Sequence, residues 1–224
     1  MSDLNRYINS SIGRKQIVAT TGLLLILFII GHLAGNLLFL LGPKAFNAYA
    51  HKMASLRPGL YVVEAGLGLI FFLHIFVTAL LVIENVKSRG LSRYAVDKAR
   101  GQRSLATRIM PYTGTILFIF LAQHLMDFTF IDKHGPRSYV NGESYELYGV
   151  VFNAFLDPLH SALYILAMGS LGFHLSHGVQ SFLQTFGVNR PGLTSMIKNI
   201  SVGFGLLIAF GFSSIPLYVL FYAK

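Results

Sequence analysis

The stretch from Leu163 to Gln180 reads LYILAMGSLGFHLSHGVQ and combines a long apolar run with two histidines, His174 and His177. Such a run is typical of a membrane-spanning helix, because about 20 mostly apolar residues are needed to cross the hydrocarbon core. Ionisable side chains at that depth are costly and usually serve a function. The stretch therefore predicts a membrane span that carries a functional imidazole.

The composition of the whole chain also indicates a membrane protein. Of its 224 residues, 54% are hydrophobic and only 12% are charged, whereas a soluble domain has about 25% charged residues. The chain has no cysteine, which excludes disulfides, thiolate metal sites and iron–sulfur ligation by this chain. Five segments are long and apolar enough to span a bilayer. They cover residues 17–41, 60–86, 107–131, 157–184 and 196–223.

The distribution of lysine and arginine predicts how the chain is oriented, because positive side chains collect on the cytoplasmic side of membrane proteins. With the N-terminus inside, the inner loops and helix ends hold twelve lysines and arginines, and the outer ones hold six. We therefore predict a cytoplasmic N-terminus. The net charge of +9 then indicates a basic inner face that suits anionic lipid or an acidic cytoplasmic partner, and no nucleic acid.

One histidine lies deep in each of the first four spans, and the fifth span has none. At about 1.5 Å of rise per residue, His32 and His124 lie about 10–13 Å from the outer surface. On the same basis, His74 and His174 lie about 15–18 Å from the inner surface. A lone histidine at such a depth is most often a hydrogen-bonded contact between helices. Four histidines on four helices, sorted into two levels, instead predict two sites that each use two imidazoles.

Two bis-imidazole sites in one helix bundle are the ligand set of b-type haem, whose iron takes two neutral imidazoles in an apolar surround. We therefore predict one all-α membrane domain over residues 1–224, with a haem-binding four-helix bundle and a fifth packing helix. His32 and His124 are the predicted iron ligands of an outer haem, and His74 and His174 those of an inner haem.

Further motifs give these histidines a family resemblance. GHLAGN surrounds the first, FFLHIF the second and GFHLSHG the fourth, while FNAYAHKM and FGVNRPG lie in the loops. With spacings of 42, 50 and 50 residues between the four histidines, the chain resembles over nearly its whole length the five-helix, dihaem cytochrome b subunit of succinate:quinone oxidoreductases. The family includes succinate dehydrogenases and fumarate reductases that use menaquinone. Its axial ligands pair the first helix with the third and the second with the fourth.

The resemblance implies a respiratory function in a bacterial cytoplasmic (inner) membrane. It implies two haem b groups, a flavoprotein subunit and an iron–sulfur subunit on the cytoplasmic face, and menaquinone near the outer haem. Succinate would be oxidised in the flavoprotein subunit, and electrons would pass through iron–sulfur clusters to the inner haem, the outer haem and menaquinone. Fumarate reduction would use the same path backwards. The sequence leaves open the direction and whether the complex is a dimer of heterotrimers.

Quinone chemistry moves protons with electrons, so the quinone site needs a nearby acid or base. Glu64, near the outer start of the second span, is the first candidate, since a carboxylate about 6 Å into the core is costly unless it is paired or functional. The alternative is an interfacial glutamate that pairs with Arg57 or Lys52. Asp127, one turn beyond His124, is a second candidate for the quinone side.

The remaining histidines have lesser predicted roles. His160 lies fourteen residues before His174, near the outer interface, and suits a polar or quinone-side role. His177 lies one turn inward of His174 and suits a contact to a haem propionate or to the docking subunit. His51 and His134 are predicted to be surface histidines of outer loops. Arg14, Lys15 and Arg108 are further candidates for propionate contacts on the inner side.

One position departs from part of the family. Some fumarate reductases of this type carry a glutamate two residues before the fourth-helix ligand, where it returns protons across the membrane. This chain has Gly172 there, so that proton route is in doubt. The difference predicts that turnover is coupled to the membrane potential.

Two other functions remain open from the residues alone. A dihaem quinol-oxidising subunit of a formate dehydrogenase or hydrogenase would use the same histidine pairs, and it would co-purify with a molybdenum or nickel enzyme. A cofactor-free transporter or assembly protein could also hold polar histidines. Inverted repeats or broken helices would favour a transporter, and the sequence contains neither.

Overall fold

The computed structural model describes residues 3–88, 105–188, 190 and 192–222. Five of the helices in these ranges are long and apolar enough to cross a membrane, which confirms the predicted fold class. The basic segment 89–104 and Lys224, which the topology prediction uses, lie outside the described residues. The elements in chain order are α1 (Asp3–Ile8), α2 (Ser11–Leu37), α3 (Pro43–Ser55), α4 (Gly59–Ser88), α5 (Leu105–Phe128), β1 (Tyr139–Val140), β2 (Glu143–Ser144), α6 (Glu146–Leu156), α7 (Pro158–Thr185) and α8 (Thr194–Tyr222).

The ends of the spans follow from local residue chemistry. α2 begins earlier than predicted because the Ser10 hydroxyl accepts a hydrogen bond from the Gly13 amide at 3.0 Å and caps the helix. Gly42, with φ of +93°, follows the last turn of the first span and lets Pro43 start α3. Asp157 caps α7 in the same way as Ser10 caps α2, by accepting from the Leu159 amide at 2.9 Å.

The spans pack as neighbours around a central contact between α2 and α7. α4 lies against α2, and α5 lies against α7. The core between them contains Ile26, Leu33, Met168 and Leu171, which are all nearly fully buried. This arrangement turns faces of four helices toward one interior, which the four deep histidines share.

α8 packs closely along α7. Gly172 and Gly205 face each other at the crossing, and a Cβ added at Gly172 would lie only 2.9 Å from the Gly205 carbonyl oxygen. Small residues at such positions allow the backbones of membrane helices to approach closely. The fifth span is therefore a packing helix, as expected, and Gly172 is part of its contact surface.

Two shorter helices, α3 and α6, cover the ends of the spans opposite the N-terminus. They pack on each other, and the Asn47 side chain joins them by donating to the Tyr145 carbonyl at 2.9 Å and accepting from the Tyr148 amide at 3.1 Å. Phe39, which is 1% exposed, stacks on Tyr148 with ring centroids 4.3 Å apart. This cap closes the interior on the predicted outer side.

Candidate functional site: two histidine pairs in the helix bundle

His32 of α2 and His124 of α5 lie side by side in the predicted outer half of the interior. Their ring centroids are 5.8 Å apart, and their planes are nearly perpendicular. Phe28 stacks on His32 at 5.2 Å, and Phe120 lies 5.6 Å from His124. Two imidazoles from different helices therefore share one space lined by aromatic rings.

One nitrogen of this pair has no partner within the part of the chain that the structure describes. The Nδ1 atom of His124 is buried and makes no hydrogen bond to another described residue. A buried polar atom without a partner costs about 1–3 kcal/mol. This nitrogen is therefore a buried polar atom that the described residues leave unsatisfied.

His74 of α4 points toward α2 in the predicted inner half of the interior. Its Nδ1 atom lies 3.0 Å from the Thr21 hydroxyl oxygen. That hydroxyl donates its own proton to the Ile17 carbonyl at 2.7 Å, shared with the Val18 carbonyl at 3.1 Å. A neutral ring that binds a metal through Nε2 carries its proton on Nδ1, and this hydroxyl oxygen lies where it accepts that proton while it donates to the carbonyl.

His174 of α7 has the same environment on the other side of the interior. Its Nδ1 atom lies 3.2 Å from the Thr113 hydroxyl of α5, and that hydroxyl donates to the Met110 carbonyl at 3.1 Å. The two imidazoles of His74 and His174 are near enough to interact electrostatically. The inner pair therefore presents two rings whose Nε2 atoms can each bind a metal ion.

Glycines give the inner rings their space. A Cβ added at Gly22 would lie 3.3 Å from Cε1 of His74, and one added at Gly114 would lie 3.6 Å from Cε1 of His174. Each glycine directly follows the threonine that contacts the same ring. The contact at Gly22 would be tight and the one at Gly114 an ordinary van der Waals contact, so both glycines line the space beside the rings.

The donor set fits two b-type haems. A haem iron requires two axial ligands, and an apolar surround tunes its potential. The outer pair offers two adjacent rings, and each inner ring has a hydroxyl oxygen beside Nδ1, which leaves Nε2 for an iron. Among the described residues no three or more histidine or carboxylate side chains converge on one point, whereas a haem iron needs only two.

A polar cluster lies beside the outer pair. The Tyr164 hydroxyl donates to Oδ2 of Asp127 at 2.7 Å, and Nε2 of His160 lies 3.4 Å from the same oxygen. Both Asp127 and His160 are mostly buried, with 18% and 19% of the side chain exposed. The Tyr164 ring centroid lies 6.2 Å from that of His124. The structure thus brings together Asp127 and His160, which the sequence named separately, and adds Tyr164.

Glu64 lies apart from that cluster. Its carboxylate accepts from the Arg57 guanidinium at 3.3 Å, and the side chain is 49% exposed. Arg57 also covers the Tyr61 ring at 4.4 Å. The structure therefore contains the ion pair that was the alternative for this residue, and the proton role of Glu64 stays a prediction.

The candidates for propionate contacts lie near the inner ends of the spans. Arg14 pairs with Glu84 of α4. Lys15 lines a polar groove between α2 and α7 with Gln16, Ser181 and Gln184. His177 lies close enough to His174 to interact with it electrostatically. The side chain of Arg108 lies outside the described residues.

Sequence reasoning missed three polar residues of the site: Thr21, Thr113 and Tyr164. The available signals were small. A Thr-Gly pair occurs only twice in the chain, at Thr21 and at Thr113, and Tyr164 follows His160 by one helical turn. Whether a hydroxyl points into the bundle depends on how its helix is rotated against its neighbours. The apolar pattern of a membrane span does not predict that rotation.

Comparison with known proteins finds a similar chain in Bacillus subtilis (strain 168), a succinate dehydrogenase cytochrome b558 subunit. The two are 27% identical over 199 residues, which is 87% of this chain and 88% of the relative. No family model matches the chain, and no solved structure matches it. The similarity therefore extends over most of both chains and is not confined to one motif.

Proposed function

We propose that this chain is the membrane cytochrome b subunit of a succinate dehydrogenase or fumarate reductase, and that it carries two haem b groups. The observation that carries the proposal is the placement of four deep histidines from four helices, two as adjacent outer rings and two as inner rings that each meet a buried threonine hydroxyl. The similarity to a succinate dehydrogenase cytochrome b558 subunit supports it independently. In this proposal His32 and His124 hold the outer iron, and His74 and His174 hold the inner iron.

The residues of the chain have distinct tasks in this function. Bound haem supplies one-electron transfer across the bilayer. Phe28, Phe120 and Phe212 lie against the outer histidines and give that site an apolar, aromatic surround. Low water access and the apolar surround are among the features by which a protein sets a haem potential.

Quinone chemistry is proposed on the outer side, next to the outer pair. The Tyr164–Asp127–His160 cluster holds one proton in the bond from Tyr164 to Asp127. His160 adds a buried Nε2 atom that makes no hydrogen bond to any described residue. These groups could pass protons to or from menaquinone at the outer level. Glu64, in its ion pair with Arg57, remains a second candidate for this task.

A flavoprotein subunit and an iron–sulfur subunit are proposed to dock on the predicted cytoplasmic face. Succinate or fumarate chemistry belongs to the flavoprotein subunit in this proposal. Lys15 and its neighbours form a polar groove of about 380 Å³ at that face. The predicted excess of positive charge on the same face suits an acidic partner.

Purification of the intact complex from membranes, through a tag on this chain, tests the proposed function. We expect a flavoprotein and an iron–sulfur subunit to co-purify and the preparation to reduce a menaquinone analogue with succinate. A molybdenum or nickel enzyme in their place would instead assign the chain to a formate dehydrogenase or hydrogenase. Purification of the chain without any redox partner would contradict both assignments.

A further inference from the structure

Two buried threonines in the inner half of the bundle contact the proposed inner ligands, and the function proposed above gives them no task of their own. Thr21 and Thr113 are each 5–7% exposed, and each precedes a glycine that faces the same ring. Each lies on the helix that packs beside the one carrying the histidine, α2 beside α4 and α5 beside α7. One local arrangement therefore occurs twice, once for each histidine of the inner pair.

The direction of the hydrogen bonds is the same in both arrangements. The threonine hydroxyl gives its proton to a carbonyl of its own helix, from Thr21 to Ile17 and from Thr113 to Met110. Its oxygen is then an acceptor for the imidazole Nδ1–H group, at 3.0 Å from His74 and 3.2 Å from His174. A ring proton on Nδ1 completes this pattern and leaves a lone pair on Nε2.

The outer pair lacks this arrangement. The Nδ1 atom of His124 makes no hydrogen bond to any residue that the structure describes. A partner on the second nitrogen of a metal-binding histidine fixes the ring and makes it a stronger electron donor. Hydroxyl acceptors at the inner pair therefore act on one of the two proposed haem sites.

We propose that Thr21 and Thr113 are positioning residues for the inner haem, an inference that rests on the proposed function. Each hydroxyl orients one axial imidazole, holds it in the Nε2-coordinating tautomer and increases its electron donation. Greater donation favours the oxidised iron, so the two hydroxyls together lower the reduction potential of the inner haem.

Valine and serine variants of both threonines test this role in the purified complex. Valine keeps the branched shape and removes the hydroxyl, and serine keeps the hydroxyl. Thr20→Val and Thr115→Val are matched controls, because Thr20 and Thr115 lie on the same two helices and are exposed. The measurements are haem content and a potentiometric titration that separates the two haems.

We expect T21V and T113V to raise the potential of the inner haem, with the outer potential unchanged. T21S and T113S should restore the wild-type value. If valine weakens haem binding instead, the inner haem alone should be depleted. Loss of a hydrogen-bond partner of a metal-binding histidine lowers affinity by about 10- to 100-fold.

Two results would overturn the role. One is an inner potential and haem content unchanged by valine at both positions, and the other is a shift produced equally by the exposed Thr20 and Thr115 controls. Both are distinct from failure of the proposed function, which would appear as wild-type protein without two b-type haems.

Discussion

At the scale of single residues, the two histidines of GFHLSHG have different roles. His174 faces Thr113 across the interior and is the proposed ligand, while His177 lies one turn toward the inner side. We expect H174A to lose one of the two haems, because a b-type iron needs both axial imidazoles. H177A should keep both. The haem content of the two purified variants tests this difference. Equal haem loss from both variants would contradict the assignment of His174 alone as the ligand.

The quinone-side acid can also be tested residue by residue. D127N removes the charge that accepts from Tyr164, and E64Q removes the charge that pairs with Arg57. We expect D127N to lower quinone reduction by about 100-fold or more, the size of a lost proton-transfer group, while both haems remain. E64Q is the matched comparison. A large loss in E64Q with D127N near wild type would move the proton role to Glu64.

Some residues of the site could be predicted from the sequence, and others could not. The two levels of histidines could be predicted because depth depends only on position along a helix. The partners of their Nδ1 atoms could not, because the rotation of α2 and α5 decides which hydroxyl faces inward. Thr21 and its neighbour Thr20 look alike in the sequence, yet only Thr21 is buried against His74.

At the scale of helices, the contact between α7 and α8 depends on Gly172. An added Cβ there would lie 2.9 Å from the Gly205 carbonyl oxygen, while one at Gly169 would meet nothing within 4 Å. We expect G172A to destabilise the complex by about 1–3 kcal/mol through overpacking, and G169A to be neutral or slightly stabilising. Thermal unfolding of both variants in detergent measures this, and equal midpoints would contradict the close approach.

The long helices could be predicted because length and hydropathy alone identify a span. The shorter helices α3 and α6 could not, since neither is long enough to span and each is held by contacts distant in sequence. Asn47 bonds to Tyr145 and Tyr148, about 100 residues away. Such contacts hold α3 and α6 together as a cap over the outer pair. No local sequence pattern predicts them.

At the scale of the whole molecule, Gly172 bears on energy coupling. The proposed electron path runs from the inner to the outer side, and the chain has no carboxylate at that position to return protons. Each charge that crosses the membrane is worth about 2.3 kcal/mol per 100 mV. We expect an inside-negative potential in proteoliposomes to speed succinate–menaquinone turnover and an uncoupler to slow it. Turnover that does not change when the uncoupler is added would contradict this coupling. Detergent-solubilised enzyme, which sustains no membrane potential, is the control.

The central claim is that the chain holds two b-type haems through its two histidine pairs. The most direct measurement is the haem content of the purified complex by reduced pyridine haemochrome, expressed per copy of this chain. The predicted result is two haem b groups per chain in the wild type and one in H74A. A wild-type value of one or none would contradict the claim.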